Sequence, residues 1–161
     1  MRELAPMDTL GRNHPSRQDL REIFNRPAIL FLTVCTRDKK PILANEAVHN
    51  TLREAWKAAD SWLVGRYVLM PDHLHLFCSP MMDTSTPLLQ WVSFWKSHTA
   101  RNWPAREDAP VWQRDFWDTQ LRKEESYAEK WPYVVENPVR AGLVTRSSDW
   151  PYQGEIHSLN W

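Results

Sequence analysis

His73 and His75 are separated by a single residue, and Tyr133 precedes Asn137 by four positions. These residue types can bind a metal ion and attack phosphorus. Alternate side chains on a strand leave the same face, so a His-x-His pair can converge on one ion. Neutral imidazole suits several divalent transition metals. Two ligands are fewer than the four that a closed structural zinc site takes. An open site with two protein nitrogens suits a Lewis acid that polarises a phosphate oxygen. A bare His-x-His pair also arises by chance. The surrounding MPDHLHLF adds weight, because the pair opens a strand just after a turn and Leu74 and Leu76 supply the apolar opposite face.

On a continuous helix Tyr133 and Asn137 share a face. Asn137 can offer its amide oxygen as a third ligand, and Tyr133 can present its phenol to a phosphate on the same ion. A phenol is a weak nucleophile until a nearby cation favours its ionised form. The competing reading packs Tyr133 in the core and makes Asn137 a cap before Pro138. Pro132 and Pro138 push Trp131 and Asn137 away from helical geometry, so this helix is expected to kink.

The rest of the chain must position these groups. Its 161 residues suit one domain with a sizeable core. Net formal charge is zero, which argues against a protein that coats nucleic acid by charge alone but leaves room for a local basic patch. Ten tryptophans are more than a chain this size usually carries; most are expected in the core and a few on the surface as stacking platforms. Cys35 and Cys78 read as buried thiols, not as a disulfide framework or a zinc site. No apolar run reaches membrane length, and the first residues have no apolar segment that would mark a secretory signal.

Residues 1–27 read as a polar arm, partly helical around Arg17 to Phe24. Apolar and β-branched runs predict strands over 28–37, 62–70, 74–79 and 111–122. Helical spacing predicts helices over 45–62, with Asn45 as N-cap, and 88–103. A final, kinked helix is predicted over 124–142, closing near Gly142. Pro71 and Asp72 make a tight turn between the second and third strands. The order β-α-β-β-α-β-α predicts an α+β, ferredoxin-like βαββαβ fold: a four-stranded antiparallel sheet with both helices on one face, plus a C-terminal helix carrying the tyrosine.

MPDHLHLF (70–77) followed downstream by YVVENPVRAGLV (133–144) resembles the HUH single-tyrosine transposases, and within them the REP-associated tyrosine transposases. FLTVCTR (31–37), FWKSHTAR (94–101) and WQRDFWDTQLR (112–122) extend the likeness over roughly residues 28 to 152. The resemblance implies His73, His75 and Asn137 as ligands of Mg²⁺ or Mn²⁺, and Tyr133 as the nucleophile. It implies cleavage and rejoining of single-stranded DNA beside a REP-like hairpin, through a 5′-phosphotyrosine. It implies a bacterial cytoplasmic protein of the nucleoid, a monomer or homodimer, with no membrane partner. It divides the chain into an arm (1–27), an HUH domain (28–144) and a tail (145–161). Pro132, just before the tyrosine, departs from the family pattern.

Phosphate contacts are expected from Lys96, Arg101, Arg114, Arg122, Lys123 and Arg140, and base stacking from exposed tryptophans such as Trp150 or Trp161. Other functions remain open on the sequence. One is a domesticated, non-cleaving DNA or RNA hairpin-binding protein of the same fold. Others are a nuclease acting on RNA, and a metal-binding domain with a small-molecule substrate, which leaves the tyrosine helix unexplained.

Overall fold

The computed structural model describes residues 28–121 and 124–159. The expected arm, Arg122, Lys123 and Trp161 lie outside the described residues. Strands β1 (Ile29–Thr36), β2 (Trp62–Leu69), β3 (His73–Pro80), β4 (Trp112–Leu121) and β5 (Gln153–Glu155) form one sheet in the order β4-β1-β3-β2-β5. Every pairing is antiparallel. Helix α1 (Glu46–Ala58) and helix α2 (Leu88–Arg101) complete the ferredoxin-like core. Helix α3 (Glu124–Val135) and the short α4 (Asn137–Arg140) follow β4.

Local chemistry explains these elements. The Asn45 side chain accepts a hydrogen bond from the Val48 N–H, capping α1 as its sequence predicts. Val48, Leu52, Ala55 and Trp56 form the buried stripe of α1; Leu88, Trp91, Val92, Trp95 and Thr99 form that of α2. Between β2 and β3, the Met70 N–H donates to the His73 carbonyl and closes the Pro71–Asp72 turn. The Thr36 N–H and hydroxyl both donate to the Asp72 carbonyl, which ties this turn to the end of β1. The entry to β3 is therefore held from two sides.

The sheet is covered on both faces, so all eight residues of β1 are buried. On one face Leu30, Leu32, Val34, Leu74, Leu76 and Cys78 pack under α1 and α2. Trp56, Trp91 and Trp95 fill this layer, with Trp56 and Trp95 edge to face at 5.7 Å. The other face carries Ile29, Phe31, Phe77 and the two histidines, and α3 and the segment after α4 close over it. Tyr127 of α3 meets Phe77 at 4.7 Å, and Arg66 of β2 stacks against Tyr127 and Trp131.

The sequence reading makes residues 145–161 a tail and predicts no strand there. The structure differs. Gln153–Glu155 pair with Arg66–Val68 as a fifth, edge strand. Three residues are too few to show an alternating pattern, so pairing with β2 creates this strand. Trp150 corrects a second expectation. It is buried, and its indole N–H donates to the Leu69 carbonyl, so it anchors this segment to β2 and is not free to stack on a base. None of the nine described tryptophans is exposed.

A bulge in β2, between Val64 and Tyr67, frees the Arg66 N–H to donate to the Tyr127 hydroxyl. At Gly65 a Cβ would lie 2.6 Å from Leu159 Cδ1 and 2.9 Å from the Tyr127 oxygen. Gly65→Ala is expected to destabilise the protein by about 1–3 kcal/mol through overpacking, read from the denaturant midpoint. An unchanged midpoint would mean that the 156–159 segment yields freely.

Candidate active site

His73 and His75 leave β3 on the face beneath α3, with ring centroids 4.9 Å apart. In the pairing register, Thr33 of β1 and Val68 of β2 flank His75, and Cys35 lies opposite His73. Each histidine has its Nδ1 engaged. The Asp72 carboxylate lies 2.8 Å from Nδ1 of His73, and the Thr33 hydroxyl 2.9 Å from Nδ1 of His75. A carboxylate only accepts, so His73 carries its proton on Nδ1 and, in the neutral ring, its lone pair on Nε2. Such outer partners fix the orientation of metal-binding imidazoles. The hydrogen bond from His73 holds the Asp72 carboxyl below its ordinary range against the opposing effect of burial.

Burial holds His75 well below its ordinary ionisation range, and the neighbouring His73, Lys130 and Arg140 add to this. His75 is thus neutral at pH 7, the state in which imidazole binds a metal. Phe31 stacks on it, 5.2 Å between centroids and 16° from parallel. The depressed value has a consequence for stability. Below pH 6.5, the ordinary value, the unfolded chain takes up a proton that buried His75 refuses. The unfolded state then binds more protons, so stability falls as pH drops through that range. His49, also depressed by burial, acts in the same direction. The urea midpoint of the metal-free protein is expected to be level above about pH 7 and to decline below 6.5. A midpoint that rises on acidification through 6.5 would contradict the assignment.

Tyr133 lies in the last turn of α3 and is 53% exposed, so it is not a core residue. Asn137 is buried and begins α4. Glu136 lies between the two helices, and Pro138 has no N–H with which to continue α3. The single kinked helix expected over 124–142 is therefore two helices, and Tyr133 and Asn137 sit on either side of the break. Arg140 joins them. Its guanidinium covers the Tyr133 ring at 3.9 Å, and it donates to the Tyr133 carbonyl and to the Asn137 amide oxygen. Lys130, one turn before Tyr133, places its ammonium 4.7 Å from the Phe31 ring centre. The contacts Lys130–Phe31–His75 set α3 over the histidines of its own chain.

No family model matches the chain. Individual relatives do. A protein of Haemophilus influenzae (strain ATCC 51907 / DSM 11121 / KW20 / Rd), named as a REP-associated tyrosine transposase, is 24% identical over 163 residues, covering 88% of this chain and 91% of that protein. The REP-associated tyrosine transposase of Escherichia coli (strain K12) is 25% identical over 138 residues, covering 83% and 80%. A solved REP-associated tyrosine transposase bound to a REP hairpin superposes with a TM-score of 0.66 at 23% identity, over 78% of this chain and 75% of that one. The chain resembles the REP-associated tyrosine transposases. A Deinococcus radiodurans structure titled as a transposase shares the fold more distantly, with a TM-score of 0.50 at 16% identity, over 68% and 89%. The likeness carried by MPDHLHLF and YVVENPVRAGLV thus extends to whole-domain sequence and fold.

In this transposase-like fold the remaining cations are spread out. Arg140 belongs to the tyrosine corner. Lys96 lies on α2, packed against the opposite face of the sheet, and donates to the Gln113 and Arg114 carbonyls. Burial lowers its pKa to about 8. Its ammonium ties α2 to β4. Arg101 is exposed and, with Lys96, Arg106 and Trp112, lines an open groove of about 630 Å³. Arg114, exposed where β4 slips register against β1, lines a separate concavity with Arg37 and Lys39. Sequence reasoning missed Thr33 and Lys130. The alternation of FLTVCT placed Thr33 on the face of Phe31, and Lys130 stands three residues before Tyr133.

Proposed function

We propose that this chain cleaves and rejoins single-stranded DNA next to a hairpin, using Tyr133 as nucleophile and the His73–His75 pair as a divalent-ion site. One observation carries the reading: α3, with Tyr133 in its last turn, closes over the histidine face of its own chain through Lys130 and Phe31. The names of the relatives support it, and one solved relative is bound to a REP hairpin.

Two imidazoles with open positions would hold a divalent ion, which the family resemblance makes Mg²⁺ or Mn²⁺. Nδ1 of His73 donates to Asp72, which leaves its Nε2 for an ion, and His75 offers the same atom when its Nδ1 donates to the Thr33 hydroxyl. Among the described residues no three His, Cys, Asp or Glu side chains form a metal cluster, and the reading takes its third ligand from an amide. The Asn137 amide oxygen fills that role. It has two acceptor positions and gives one to Arg140. A bound ion supplies Lewis acidity to a non-bridging phosphate oxygen.

The chain's own residues do the rest. Arg140, against the Tyr133 ring and bonded to the Tyr133 carbonyl, fixes the direction of the phenol oxygen. That oxygen bonds to phosphorus and the bond from phosphorus to the 3′ oxygen breaks. The phenol proton passes to solvent and the departing oxygen takes one up. The product is a 5′-phosphotyrosine and a free 3′-OH. One phosphodiester replaces another, so a second 3′-OH can reverse the step and join strands. The test is to incubate the protein with single-stranded hairpin oligonucleotides and Mg²⁺ or Mn²⁺ and to look for a DNA adduct under denaturing conditions. Tight hairpin binding without any adduct would favour a non-cleaving binding protein. Cleavage restricted to ribose substrates would overturn the DNA assignment, because a tyrosine nucleophile has no need of a 2′-OH.

A further inference from the structure

We propose that the Lys130 ammonium binds a non-bridging oxygen of the phosphate held over the His73–His75 pair. The inference rests on the strand-transfer reading above and adds a residue to it. Lys130 is half-buried, and among the described residues it has neither an acidic partner nor a hydrogen-bond acceptor. Its one close neighbour of note is the Phe31 ring at 4.7 Å. A cation partly withdrawn from water gains from meeting a counter-charge, which a ligand can supply.

The surroundings say which ligand. Phe31 touches both Lys130 and His75, and the charges of both Lys130 and Arg140 act on His75. Among the described residues Asp72 is the one carboxylate bonded to the histidine pair. Among the described residues neither Lys130 nor Arg140, beside the histidine pair, forms a salt bridge. A phosphodiester supplies the counter-charge, with one free oxygen for the histidine side and one for Lys130. Lys130 and Tyr133 are three residues apart on α3, so they lie on neighbouring turns of one face. A phosphate on Lys130 is thereby presented to the phenol. Burial, which lowers the Lys130 pKa, raises the gain from pairing it with an anion.

The test uses the full chain with two variants. Lys130→Met keeps the aliphatic stem over Phe31 and removes the charge, whereas Lys130→Arg keeps the charge. Inorganic phosphate, titrated with Mg²⁺ present and followed by the histidine ring NMR signals, probes the anion site directly. Adduct formation on single-stranded hairpin DNA probes its use. Lys130→Met is expected to weaken phosphate binding about tenfold or more, the usual effect of losing a charged hydrogen bond. It is expected to slow adduct formation about 10²–10³-fold, as when an oxyanion donor is removed. Hairpin affinity should barely change, since many phosphate contacts contribute to it. Lys130→Arg should recover most of both losses. A phosphate response equal in wild type and Lys130→Met, or missing from wild type, overturns the inference. Equal losses in the Met and Arg variants also overturn it, since they would mark a packing role. If wild type forms no adduct, the strand-transfer reading fails and the phosphate titration alone decides the role of Lys130.

Discussion

Tyr133→Phe is expected to abolish the covalent DNA adduct while leaving hairpin affinity within about twofold of wild type. The substitution removes one oxygen from a ring that is half in solvent. The ring's packing under the Arg140 guanidinium survives, because that contact uses the aromatic face. Arg140 still donates to the backbone carbonyl of residue 133 and to Asn137, so the corner between α3 and α4 keeps its shape. No described hydrogen bond uses the phenol oxygen, so stability should hardly move. Loss of the adduct without loss of stability or binding would then belong to the chemistry. A labelled 5′-phosphate still trapped by Tyr133→Phe would show that another side chain is the nucleophile.

His73→Ala is expected to lower cleavage by about a thousandfold or more, because an ion that stabilises phosphate charge contributes several kcal/mol. His73 is a cleaner probe than His75. It stands at the entry of β3 beside the Asp72 turn, whereas His75 lies beneath Phe31, where truncation would also open a cavity. A chelator should bring the wild type down to the level of the variant and have no further effect on the variant. Mn²⁺ binding measured by calorimetry should weaken in parallel. Full cleavage by wild type in chelator would remove the metal from the mechanism, even if the tyrosine adduct persisted.

The sequence by itself determined the frame that carries these groups. Strand alternation in HLHLF put both histidines on one face, and the Pro71–Asp72 turn placed them at the start of β3. The Asn45 cap and the apolar stripes of α1 and α2 were legible because they depend on neighbours within a few residues. The same holds for the β-α-β-β-α-β order, which the sheet order β4-β1-β3-β2 realises.

Other features depended on contacts between distant segments. Nothing near Lys96 in sequence shows that its ammonium will meet the β4 carbonyls. Trp150 looked like a surface ring until Leu69 supplied a carbonyl for its N–H, and β5 exists because β2 offered an edge. At the candidate site, local rules foresaw that proline would disturb the tyrosine helix. They could not say where its two halves would go. The His-x-His pair with Tyr133 and Asn137 was therefore readable as four residue types at suggestive spacing. Tertiary packing set the helix that carries Tyr133 over the histidine face. α3 folds back over the histidine face, Phe31 bridges Lys130 to His75, and Arg140 spans the break that Pro138 imposes between Tyr133 and Asn137.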